Sequence, residues 1–176
     1  MIRICLWITF MVVCSLIEVS FFRSLPGFFT LTPLVFALSV YFVQHQGVNQ
    51  FIWWLPIHGI FLDSLLSGFI TFNFFPFVVA AILVSFSAKH LFSNRSYYGV
   101  LSCALMGYVG LILTEAIILF IQQFSNLSFD WSLFLREALL RLILLLIVIT
   151  IFFPFAKRIR GILVSLSLLP EPRKTY

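Results

Sequence analysis

Pro56-Ile57-His58-Gly59-Ile60-Phe61-Leu62-Asp63-Ser64-Leu65-Leu66-Ser67-Gly68 contains Asp63, the only formal charge in the 65 residues between Arg23 and Lys89. A carboxylate in so apolar a run is expensive. At the centre of a bilayer an acid costs roughly 2.5 kcal/mol or more. Asp63 must therefore face a protein interior, a cavity or a partner, and the segments around it must have an apolar solvent.

The rest of the chain agrees. Of 176 residues, 62% are hydrophobic and 10% charged, and the mean hydropathy is +1.13. A soluble domain carries about 25% charged residues, so too few polar side chains are present to cover a water-facing surface. A helix needs about 20 apolar residues to cross the hydrocarbon core. The length then suits five or six spans with short connections and no separate soluble domain. Arg3 followed by an apolar run imitates a signal peptide, but Ile4 to Phe22 is long for one and Leu25-Pro26-Gly27 is a poor cleavage site. It reads as a retained first span. Cys5, Cys14 and Cys103 lie inside apolar runs without metal-ligand spacing.

The expected fold is an all-α integral membrane protein with about six transmembrane helices in one bundle. The spans are expected at 4–22, 31–44, 51–70, 74–92, 98–123 and 131–155. The bundle would occupy 1–160, with 161–176 a short interfacial segment and cytoplasmic tail. Basic residues set the orientation. With the N-terminus in the cytoplasm, Arg3, Lys89, Arg95, Lys157, Arg158, Arg160, Arg173 and Lys174 fall inside and only Arg23 falls in an outer loop. Both termini are therefore expected inside. The same pattern accounts for the net charge of +5 without nucleic acid.

The polar residues within the spans are the candidate site: Glu18, Asp63, Glu115, Arg136, Glu137 and Arg141. In this orientation they gather in the outer half, with Asp63 closer to mid-depth. Glu137 and Arg141 form an i,i+4 pair in the favourable order. Arg136 or Arg141 is expected to pair across helices with Asp63, Glu115 or Glu18. An arginine of the last span is the expected counter-ion of Asp63, and the alternative for Arg136 and Glu18 is the outer interface. Pro56, Gly59, Asp63 and Ser67 share one helical face, and Cys103, Gly107, Gly110 and Thr114 form a similar stripe. Small residues let membrane helices approach closely, so these stripes are candidates to meet each other.

Catalysis finds little support. His58 and Asp63 have an acyltransferase-like H-x4-D spacing, but on a regular helix they point about 140° apart. No setting for a serine nucleophile, a metal or another cofactor is recognisable.

Gly59-Ile60-Phe61-Leu62-Asp63-Ser64-Leu65-Leu66-Ser67-Gly68 resembles the central motif of the rod shape-determining protein MreD family, approximately G-L-L-L-D-L-L-S-G. Gly59, Asp63, Ser67 and Gly68 fit it. The Pro-rich stretch Leu25 to Leu34 and the ending Phe153-Pro154-Phe155-Ala156-Lys157-Arg158-Ile159-Arg160 are also similar. The family's P-L-G-type turn is replaced by Phe69-Ile70-Thr71-Phe72-Asn73. The resemblance implies a non-enzymatic component of the bacterial elongation machinery in the cytoplasmic membrane. Its implied partners are the lipid bilayer, an MreC-like scaffold and other elongation-complex proteins, and its process is peptidoglycan synthesis. A competing likeness is to the substrate-binding subunits of energy-coupling-factor vitamin transporters, also six-span proteins with outward pockets. The first span lacks the alanine stripe those subunits use for docking.

Overall fold

In the computed structural model of the chain, residues 2–46, 52–65, 73–92, 96–123 and 130–165 are described. Among them are six α-helices and no strand: α1 (Ile2–Ser20), α2 (Leu34–Gln46), α3 (Trp54–Leu65), α4 (Phe74–Phe86), α5 (Tyr97–Gln123) and α6 (Trp131–Ser165). Two 3-10 stretches, Phe22–Ser24 and Gly27–Leu31, join α1 to α2, and a π turn, Ser87–Leu91, extends α4. Phe74–Leu91, Tyr97–Ile121 and Trp131–Phe155 are each long and apolar enough to cross a membrane. α6 runs through Pro154 to Ser165, so the boundary expected after residue 160 falls inside it.

The other five helices pack around α2. From Leu34 to Val43 its residues are apolar but for Ser39 and the Tyr41 hydroxyl, the pattern of an enclosed helix. Val35, Phe36, Val40 and Val43 are all buried. The outer faces of α5 and α6 expose Leu113, Ile117, Leu139, Ile143 and Ile151 instead, while Ser15, Ser39, His58 and Ser87 are buried. Apolar groups outside and polar groups inside is the arrangement that a lipid solvent favours.

α4 lies between α3 and α5, and glycines set how close it comes. A Cβ on Gly59 would stand 2.9 Å from Cα of Phe74 at the start of α4. A Cβ on Gly107 would collide with the Val84 side chain, and one on Gly110 with that of Leu83. Both small-residue stripes are thus close-packing surfaces, but each meets α4 rather than the other. The expectation of a direct contact between them is corrected: α4, with its small Ala80 and Ala81 buried, occupies the space between.

The ends of the bundle are polar. At one end Gln44, near the close of α2, donates from Nε2 to the Phe92 carbonyl at 2.6 Å. Tyr97 at the start of α5 hydrogen-bonds to Thr150 late in α6 at 2.8 Å. The opposite end holds the starts of α2, α4 and α6, and almost all of the predicted polar residues that are described.

Candidate functional site

Asp63 stands in the last turn of α3 and reaches over to the first turn of α4. Its Oδ1 accepts from the Asn73 backbone N–H at 2.9 Å and from Asn73 Nδ2 at 2.8 Å, and Oδ2 accepts from the Phe74 N–H at 3.0 Å. The first N–H groups of a helix have no partner within it. The carboxylate fills that need and complements the positive end of the α4 dipole. Pro76 in the same turn has no N–H to satisfy. Gly59, one turn below Asp63, gives the backbone of residues 73 and 74 the room to come within reach. Asp63 therefore lies at a bundle end, not at mid-depth. Its charge is met by a helix start, not by an arginine of the last span, which corrects the expected counter-ion.

The same device occurs between α1 and α2. Glu18, in the last turn of α1, accepts from the Val35 N–H through Oε2 at 2.6 Å, and Pro33 just before α2 again has no N–H. In both hairpins the acid is two residues from the end of its helix, Glu18 before Ser20 and Asp63 before Leu65. No sequence repeat announces this correspondence.

The other oxygen of Glu18 faces His58, a residue that sequence considered only beside Asp63. His58 is fully buried. Its Nδ1 is 3.0 Å from Ser15 Oγ, its Nε2 is 3.4 Å from Glu18 Oε1, and its ring meets Phe77 edge-on. The Nε2 contact is at ion-pair distance but is not aligned as a hydrogen bond. The direction of the Ser15–His58 hydrogen bond follows the tautomer of the ring. With both Ser15 and His58 sealed from solvent, the group ties α1 to α3 and offers no exposed nucleophile.

The third set joins α5 to α6. Arg141 Nη1 lies 3.3 Å and 3.4 Å from the two oxygens of Glu115, and Nη2 lies 3.8 Å from Glu137. The cross-helix pair is one of those expected from sequence, and the i,i+4 pair is present beside it. Arg136 is exposed. Ser67 and Gly68 lie outside the described residues.

These sets meet at a half-open cavity of about 380 Å3. Glu18, Thr32, Asn73, Glu115, Glu137 and Arg141 are in its wall, together with Tyr108 and several apolar side chains. Tyr108 is fixed by donating to the Ala138 carbonyl of α6 at 2.6 Å. The cavity gathers the ends of three hairpins, α1–α2, α3–α4 and α5–α6. Sequence could place the acids in one half of the molecule but not foresee a shared cavity.

No family model matches this chain, and neither a curated protein nor a solved structure is detectably similar to it.

Proposed function

We propose that this chain is a non-enzymatic component of the bacterial elongation machinery, of the rod shape-determining protein MreD type. In this reading it crosses the cytoplasmic membrane six times with both termini inside. It partners an MreC-like scaffold in organising peptidoglycan synthesis. The observation that supports the reading best is the joint use of Gly59 and Asp63. The two residues central to the resemblance act together here: one admits the start of α4 and the other caps it. That is a physical reason for a G-x-x-x-D spacing in a protein with no catalysis to perform. The polar end around the cavity would then be the surface presented to the scaffold's membrane-proximal part.

Co-expression with the MreC-like protein of the same organism tests this. A stable complex is expected on purification. Gly59→Leu should weaken it, whereas lipid-facing Ile147→Ala should not. Failure of the wild-type pair to associate would sink the reading, and a preceding MreC-like reading frame would strengthen it.

The cavity favours one other reading, a small-molecule-binding membrane subunit like those of energy-coupling-factor transporters. Its volume falls in the ~300–1,000 Å3 range of small-molecule sites. A stoichiometric vitamin retained through purification, with a coupling ATPase in the neighbouring genes, would decide for it.

A further inference from the structure

The cavity wall has a charge surplus that limits what can occupy it. Glu115 and Glu137 both face Arg141. Two carboxylates against one guanidinium leave one formal negative charge. Glu18 does not add to the surplus in the same way, because one oxygen is bound by the start of α2 and the other faces His58. Within the trio the engagement is unequal. Arg141 addresses both oxygens of Glu115, which is 18% exposed, and stands farther from Glu137, which is 45% exposed. Glu137 is the less neutralised acid and the one more open to an incoming group. The same wall also carries apolar and aromatic side chains, among them Phe36, Phe77, Tyr108 and Phe134. Aromatic faces and a carboxylate attract the same kind of group, a cation on an apolar body.

We propose that this cavity binds an organic monocation, an ammonium on an apolar body, with Glu137 as its counter-ion and the aromatic wall around the body. The proposal rests on the cavity being a ligand site, the premise it shares with the small-molecule reading, and does not depend on the elongation partner. The volume favours a whole small molecule over the tip of one lysine from a protein partner. The same chemistry is available from a free amphiphilic amine or from an aminophospholipid headgroup.

The full-length protein in nanodiscs of phosphatidylglycerol tests it with two fluorescent probes, dansylcadaverine and the uncharged dansyl amide. The amine should bind about tenfold more tightly, the scale of one charge-assisted contact. Glu137→Gln should remove that preference. Lipid-facing Ile143→Ala should keep it. In nanodiscs containing phosphatidylethanolamine, native mass spectrometry distinguishes the sources. Retained phosphatidylethanolamine that competes with the probe assigns the headgroup, and unimpeded probe binding assigns a free amine. Equal binding of the two probes, or indifference to Glu137→Gln, overturns the proposal. So does retention of a molecule that carries no ammonium group, which would leave the small-molecule reading standing. If no compound binds and filling the cavity with Leu111→Trp changes nothing, the ligand-site premise falls too.

Discussion

At the scale of single residues, Asp63 and Arg141 share one end of the molecule without sharing an interaction. Asp63 accepts three N–H donors from Asn73 and Phe74, and Arg141 holds Glu115 and Glu137. Hydrogen bonds to a charged acceptor are each worth about 1.5–3 kcal/mol, and orphaned buried donors cost about 1–3 kcal/mol. Asp63→Ala should therefore destabilise by about 2–4 kcal/mol. Asp63→Asn, which keeps one acceptor oxygen but turns a donor toward the α4 N–H groups, should lie between that and wild type. Independent sites add to within about 0.5 kcal/mol, while residues in contact deviate by more. Thermal unfolding in detergent of Asp63→Asn, Arg141→Gln and the double variant should then show additivity. The cycle of Glu115→Gln with Arg141→Gln should not. A coupling above about 1 kcal/mol between Asp63 and Arg141 would contradict the capping geometry. Sequence identified both residues as needing partners, because burial of charge is costly in any fold. It could not say that a backbone amide on the next helix outcompetes a guanidinium, since that choice depends on where residues 73 and 74 arrive in space.

At the scale of elements, α4 is the helix against which both small-residue stripes close, and the nature of each contact predicts how it tolerates change. A Cβ on Gly110 meets Cδ1 of Leu83, the free end of a side chain with alternative rotamers. A Cβ on Gly107 meets Cγ2 of Val84, which is β-branched, buried and stiff, with the Phe36 ring alongside at 3.2 Å. Gly107→Ala should cost about 1–3 kcal/mol, as overpacking generally does, and Gly110→Ala should cost clearly less. Val84→Ala should partly rescue the first, and equal melting temperatures for the two single variants would refute the distinction. The helix positions were legible because hydropathy marks a helix wherever its neighbours are. The stripes' partners were not, because a glycine admits any surface. At α6 the cap is local: Asp130 Oδ1 accepts from Ser132 Oγ at 2.6 Å, from the Ser132 N–H at 2.9 Å and from the Leu133 N–H at 3.3 Å. The Ser132 hydroxyl foremost, and then the two backbone N–H groups, hold the Asp130 carboxyl below its ordinary value. A depressed carboxyl stabilises the helix start fully above its unfolded pKa of about 3.9 and loses that contribution as pH falls through the folded value. Protection of the Leu133 amide, measured against its intrinsic exchange rate, should thus fall in acid, below about pH 4, and Asp130→Asn should flatten that dependence.

At the scale of the whole molecule, the polar contacts fix which turns share an end. Thr32 before α2, Asn73 before α4 and Leu133 at the start of α6 line the same cavity, so the starts of α2, α4 and α6 lie together. Gln44 with Phe92, and Tyr97 with Thr150, hold the opposite end. Consecutive helices therefore alternate in direction, and one measured side of the membrane determines all the others. Glu18, Asp63 and Asp130 each serve a helix that starts at the cavity end. The basic residues Arg3 and Lys89 belong to the other. By the rule that basic residues stay on the cytoplasmic side, this segregation predicts the cavity end on the outside. Replacing Cys5, Cys14 and Cys103 by alanine and introducing one reporter at a time makes this measurable. Ser24→Cys and Ser132→Cys are exposed positions at the cavity end, and Tyr98→Cys is exposed near the other. In intact cells an impermeant maleimide should label the first two and leave the third until the membrane is opened. Labelling of Tyr98→Cys alone would invert the molecule in the membrane, bring the cavity to the cytoplasm and remove it from the reach of a scaffold on the outer side. Labelling of Ser24→Cys and Tyr98→Cys together would break the alternation itself, since 98 follows the fourth helix and 24 the first.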